Sequence, residues 1–201
     1  MLATAGPNDE PSVIARLGLD RLAEMAREMT GARYAVLAVL NEQRNELEHL
    51  STAGVDDRAR EAIGHTPPGR GLVADLILDP GPRRLGDVHR HTRNGVRPEH
   101  PMMRSFLGVP IMIHGQVWGS LRLAEKARGE FTEEDQAATL VLAEEAANRI
   151  GFERRGLRWP SHSLDGLGRY VQRRKEALKS LGGRPLPGRR SGQRGGSEGP
   201  S

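Results

Sequence analysis

The 201-residue chain contains no cysteine. That one absence excludes disulfides, thiolate metal sites and thiol nucleophiles together, and it sets a cytoplasmic location as the expectation. No apolar run approaches the ~18 residues that a membrane span needs, and the N-terminal residues lack the basic-then-apolar pattern of a secretory signal. Neither a Gly-x-Ser-x-Gly elbow nor a phosphate-binding P-loop occurs, so catalysis is not expected. Aromatic residues are scarce, with two Trp, two Tyr and three Phe.

Charge is present but unevenly spread. Residues 154–201 hold twelve Lys/Arg against three Asp/Glu, a net of +9, which leaves −5 for residues 1–153. The basic balance therefore belongs to the tail and not to the body of the chain. Beyond Trp159, which closes the domain, that tail has one aromatic residue, Tyr170, so weak, non-specific contact with polyanions is expected rather than base stacking or sequence readout.

Read in order, residues 1–10 are loose, and 11–29 carry apolar positions at helical spacing with a break near Gly18 and a terminator at Gly31. Tyr34 to Leu40 is apolar on both faces, as a central strand requires. A polar turn at 41–45 leads to a partner strand beginning at Leu47. Asp56 or Asp57 can cap a short helix over 59–63, and Pro67-Pro68-Gly69-Arg70-Gly71 bends into a second apolar helix stopped by Pro80. A brief strand at 84–88 precedes a loop over 89–105, longer than an ordinary connector and therefore a candidate functional loop.

The best-defined stretch is 100–123. Phe106 to Ile113 reads as a strand, with Pro110 marking an edge or a bulge. His114-Gly115 sits where a two-residue hairpin turn belongs, and Gly119 permits close backbone approach on the returning strand. Thr132 with Asp135 forms a variant capping box that opens a helix over 133–152. Further on, 154–181 is a basic, partly helical extension, and 182–201 is a disordered Gly/Arg-rich tail. Met102, Met103 and Met112 are expected as core fillers.

This order of elements predicts an α+β fold with a central antiparallel sheet. Gly31-Ala-Arg-Tyr34, Gly69-Arg-Gly71, Phe106-Leu-Gly-Val-Pro110, Gly119-Ser-Leu121 and Phe131-Thr-Glu-Glu-Asp135 together resemble a GAF domain over residues 11–153. The resemblance implies N- and C-terminal helices on one face of the sheet and a ligand-side layer of loops and helices on the other. Lys126, Phe131 and Asp135 resemble half of the Asn-Lys…Phe…Asp-Glu signature of cyclic-nucleotide-binding members, but Glu125 and Gln136 replace its Asn and Glu. GAF-type methionine sulfoxide reductases and thioether-linked bilin receptors need the cysteine that this chain lacks.

Within the family, Ile63-Gly-His65 through Gly71, Arg84-Leu85, Asp87-Val88 and His100-Pro101 through Pro110 resemble the haem-binding sensor domain of actinobacterial oxygen- and redox-sensing histidine kinases. That resemblance implies haem as cofactor, with His100 as the axial ligand to its iron. Arg122 stands where that group carries an aromatic hydroxyl residue, and Ala38 and Leu40 stand where it carries polar ones.

The residues themselves allow narrower statements. Arg84, Arg97 and Arg104 belong to a basic surround suited to an anion such as a propionate or a phosphate. Arg122 alternates with Leu121 and Leu123; solvent is its expected side, while turned inward it would donate to a ligand's anionic group. Zinc at His89, His91 and His100 is disfavoured by that positive neighbourhood.

The expectation is a stand-alone sensor module that binds a small ligand, with haem reporting a diatomic gas or redox state as the first hypothesis. A homodimer through the terminal helices is expected, signalling to a separate histidine kinase or other output protein. The alternatives are a ligand-free dimerisation or interaction module, which Ala38 and Leu40 favour, and a GAF domain binding another small metabolite.

Overall fold

A computed structural model describes residues 18–64, 72–88, 104–157 and 164–180. Helix α1 (Leu19–Thr30) begins after Gly18 and ends at Gly31, both left-handed, with the Gly31 N–H closing back on the last turn. Strands β1 (Ala32–Leu40) and β2 (Leu47–Ala53) follow as an antiparallel pair. The turn between them is tied by Asn41, whose Oδ1 accepts from the Asn45 N–H at 3.1 Å. Helix α2 (Asp57–Gly64) is capped by Asp56, which accepts from the Ala59 N–H at 2.8 Å. Helix α3 (Leu72–Leu78) leads into the short strand β3 (Arg83–Leu85). Strands β4 (Phe106–Ile113) and β5 (Gln116–Lys126) form a hairpin, and helices α4 (Glu133–Glu153) and α5 (Leu164–Ser180) complete the described residues.

The sheet is antiparallel with strand order β2-β1-β5-β4-β3, so this is an α+β fold with a five-stranded GAF-like sheet. Pairing of β3 reaches only to Gly108, so at Pro110 the strand β4 is the sheet's edge and its missing N–H interrupts no described ladder. The register shifts one step later, between Ile111 and Met112. Beyond that shift Met112 is exposed, which corrects its expected place in the core. The hairpin turn at His114 and Gly115 has φ of 50° and 79°, both positive as a type I′ turn requires.

One face of the sheet carries the main core. Ala35, Leu37 and Val39 of β1, Leu121 and Leu123 of β5, and Leu107, Val109 and Ile111 of β4 pack with Leu22 and Ala26 of α1 and with Leu142, Ala146 and Ile150 of α4. The capping box forms as expected: Thr132 accepts from the Asp135 N–H, and the Asp135 carboxylate accepts from the Thr132 N–H at 2.9 Å. Helix α5, expected only as part of a basic extension, packs back on α4 and buries Val171. Covered from two sides, α4 hides even Arg149, which donates to Glu145 at 2.7 Å. At the end of α4, Arg154 lies 4.4 Å from the centroid of Trp118 and donates to the Leu40 carbonyl at 2.9 Å, pinning the helix to the sheet.

Candidate functional site

The other face of the sheet is roofed by α2 and α3. Alternation along β1 sends Ala38 and Leu40 to this side, away from the core residues Leu37 and Val39. Ala38, Gly119 and Ser120 make a floor of small groups. Gly119 is obligatory there, because a Cβ would collide with the Ala38 carbonyl oxygen. Leu40, Leu47 and Leu50 wall the cavity on the β2 side, while Ile63 of α2 and Val73 and Ile77 of α3 close over it. The enclosed space is small, about 40 Å³, and the cavity is partly open to solvent.

Arg122 lines this apolar cavity. Cross-strand pairing places it between Val36 of β1 and Gly108 of β4. Gly108 is required beside it, because the Phe106 ring and the Leu76 side chain already cover that position and a Cβ there would sit 2.7 and 2.9 Å from them. The Arg122 Nε is buried and has no hydrogen-bond partner among the described residues. Burial pushes the guanidinium well below its usual range, to about 10. Arg122 is thus not on the solvent-facing side that its alternation with leucines suggested. The alternation is real, but the side opposite the leucines is a covered cavity.

The other basic candidates lie elsewhere. Arg84 pairs across the sheet with Leu107, a residue of the helix-side core, and its guanidinium is 3.8 Å from Glu133. It is therefore on the face opposite the cavity, a correction to its expected place beside a ligand. Arg104 is exposed, its backbone N–H donating to the Glu125 carboxylate and its carbonyl accepting from Val88 at 2.7 Å. His100 and Arg97, like His65, His89 and His91, lie outside the described residues. The wall residues Leu47, Leu50, Ile63, Val73 and Ile77 were not among the candidates; the sign available was only that β2, α2 and α3 each carry apolar residues beyond those the helix-side core takes.

Two further features have structural roles. The Lys126 ammonium is bonded to Asp135 and sits 5.7 Å from the Phe131 ring centroid. The partial signature residues thereby tie the end of β5 to the start of α4. His49 contacts the Ser51 hydroxyl at 2.7 Å, and burial lowers its pKa.

A family profile described as the GAF domain matches residues 15–150, spanning this sheet, both helices of the roof and α4. The chain belongs to the GAF family. These are signalling and sensor-type modules that bind small molecules. Among solved structures, it is similar to the GAF domain of a phosphoenolpyruvate-protein phosphotransferase from Coxiella burnetii, at 24% identity over 74% of this chain and 88% of that one, with a TM-score of 0.62. It is also similar to a free methionine-R-sulfoxide reductase from Neisseria meningitidis, at 23% identity over 74% and 84% with a TM-score of 0.54. The second GAF domain of DevS from Mycobacterium smegmatis matches at 21% identity over 72% and 99% with a TM-score of 0.53. At these identities the likeness establishes the GAF fold.

For haem, the described lining of this GAF cavity fits one end of the group. Arg122 can meet an acidic substituent, but the enclosed space is far smaller than a macrocycle and no described lining residue offers nitrogen or sulfur to iron.

Proposed function

We propose that this GAF domain is a sensor module that holds a small ligand in the cavity between the sheet and the α2–α3 roof and reports its occupancy to a separate output protein. The observation that supports this is the buried, unpartnered Arg122 Nε at an otherwise apolar wall. Such a group is costly in an empty fold and is stabilised when a bound anion supplies the acceptor. The module binds rather than transforms its ligand: the described lining includes no acid or base besides Arg122, and the chain has no thiol. It pairs with a second copy through its helical face, where Tyr170 is exposed, and signals to a histidine kinase or another output protein.

Haem is the ligand that the resemblance of the 63–71 and 100–110 stretches suggests. On that reading His100 holds the iron, Arg122 meets a propionate, and the bound group supplies the gas- or redox-responsive centre. Two experiments test the proposal. Hemin titration should give a sharp Soret band in the wild type that His100→Ala abolishes; loosely associated hemin indifferent to that substitution sinks the haem reading. Independently, a low-molecular-mass cell extract should raise the melting temperature of the wild type but not of Ala38→Phe, which fills the cavity floor. If neither extract nor hemin stabilises the wild type, the sensor reading itself fails. Size-exclusion chromatography of the full chain over a range of concentrations tests the pairing.

A further inference from the structure

We propose that the cavity is a monocarboxylate site, taking an acid with a compact hydrocarbon body, and that Arg122 is its specificity-determining residue. This rests on the sensor reading above and names the ligand class. Three features carry it. First, the charge in the described lining is one guanidinium, with no carboxylate beside it. The nearest cation along the same cross-strand row, Arg83, is already bonded to Asp79. One unopposed positive charge in an apolar enclosure is matched by one negative charge; a dianion would bring a second charge with no counterpart, and an amine would meet repulsion.

Second, the unpartnered atom is Nε. A guanidinium presents Nε and one Nη along a straight edge, which two oxygens of a planar carboxylate meet with parallel bonds. Val36 flanks Arg122 on one strand and Gly108, covered by the Phe106 ring and the Leu76 side chain, on the other, so the surroundings of Nε are hydrocarbon. Third, beyond Arg122 the lining is hydrocarbon apart from the Ser120 hydroxyl. From β5 it runs across β1 to Leu47 and Leu50 of β2. The enclosed space is small, about 40 Å³, so the carboxylate end sits inside and the hydrocarbon body reaches towards the open part. A sugar or nucleotide would leave its hydroxyls without partners against Leu40, Ile63 and Ile77.

The test uses the full chain and calorimetric titration with hexanoate, octanoate and phenylacetate, against hexanamide as neutral isostere and inorganic phosphate as tetrahedral anion. At least one carboxylate should bind saturably, tenfold or more tighter than hexanamide, and phosphate should not compete. Arg122→Met should lose that preference for acid over amide, and Arg122→Lys should keep part of it with weaker binding. Far-UV circular dichroism checks that both variants fold; if Arg122→Met does not, Arg122→Lys and the wild-type ligand series still decide. Equal binding of hexanamide, competition by phosphate, or undiminished binding by Arg122→Met overturns the proposal. No carboxylate binding, with stabilisation by cell extract or hemin intact, also overturns it and leaves the sensor reading standing. Stabilisation by none of them removes both.

Discussion

Replacing Arg122 with methionine should stabilise the ligand-free protein. The substitution keeps a flexible hydrocarbon stem in the cavity lining but removes the charge. Burial lowers the guanidinium to about 10, and a depression of that size from the usual arginine range corresponds to about 3 kcal/mol spent keeping the folded protein charged at neutral pH. Relaxation around the new side chain recovers only part of this, so a gain of about 2 kcal/mol is expected, or about 4–8 °C in melting temperature for a chain of this length. Urea unfolding followed by far-UV circular dichroism, in carboxylate-free buffer, measures it. The pH dependence gives a second check. Because the folded pKa lies below the unfolded one, the unfolded state binds more protons between about pH 10 and 12.5. Wild-type stability should therefore rise relative to Arg122→Met above pH 10, and the gap should be constant below it. A loss of about 3 kcal/mol or more on substitution would refute the reasoning, since that is what breaking an established buried ion pair costs.

Thr132→Ala removes one half of the capping box and should cost about 1 kcal/mol, read as a lower urea midpoint at unchanged slope. Leu142, fully buried between sheet and helices, should lose about 2–5 kcal/mol as Leu142→Ala. Gly119→Ala drives a Cβ into the Ala38 carbonyl, a backbone atom held by the β1–β5 ladder, and should destabilise by at least about 1–3 kcal/mol, with thermal unfolding as the readout. The half-buried His49 resists protonation in the folded state, so below its unfolded pKa of about 6.5 the unfolded chain takes up the proton more readily. Wild-type melting temperature should fall as pH drops from 7 towards 5, and the fall should be shallower in His49→Gln.

Features settled within a few residues of chain were legible from the sequence. The capping box at Thr132 and Asp135, the positive-φ turn at His114 and Gly115, the cap at Asp56, and the two-sided apolar character of β1 each depend on local hydrogen bonds or on period-two alternation. So, through the motifs they compose, did the family. Tertiary structure decided what lay on either side of those elements. Alternation separates Arg122 from Leu121 and Leu123, but whether the opposite side is water or an enclosed cavity depends on α2 and α3, remote in sequence, folding over that face. The same rule carried Arg84 to the helical side, because the register with Leu107 is fixed by strand pairing and not by the arginine itself. A residue's periodicity tells which neighbours share its face; only packing tells what that face meets, and for Arg122 that made the difference between a solvated charge and a candidate ligand anchor.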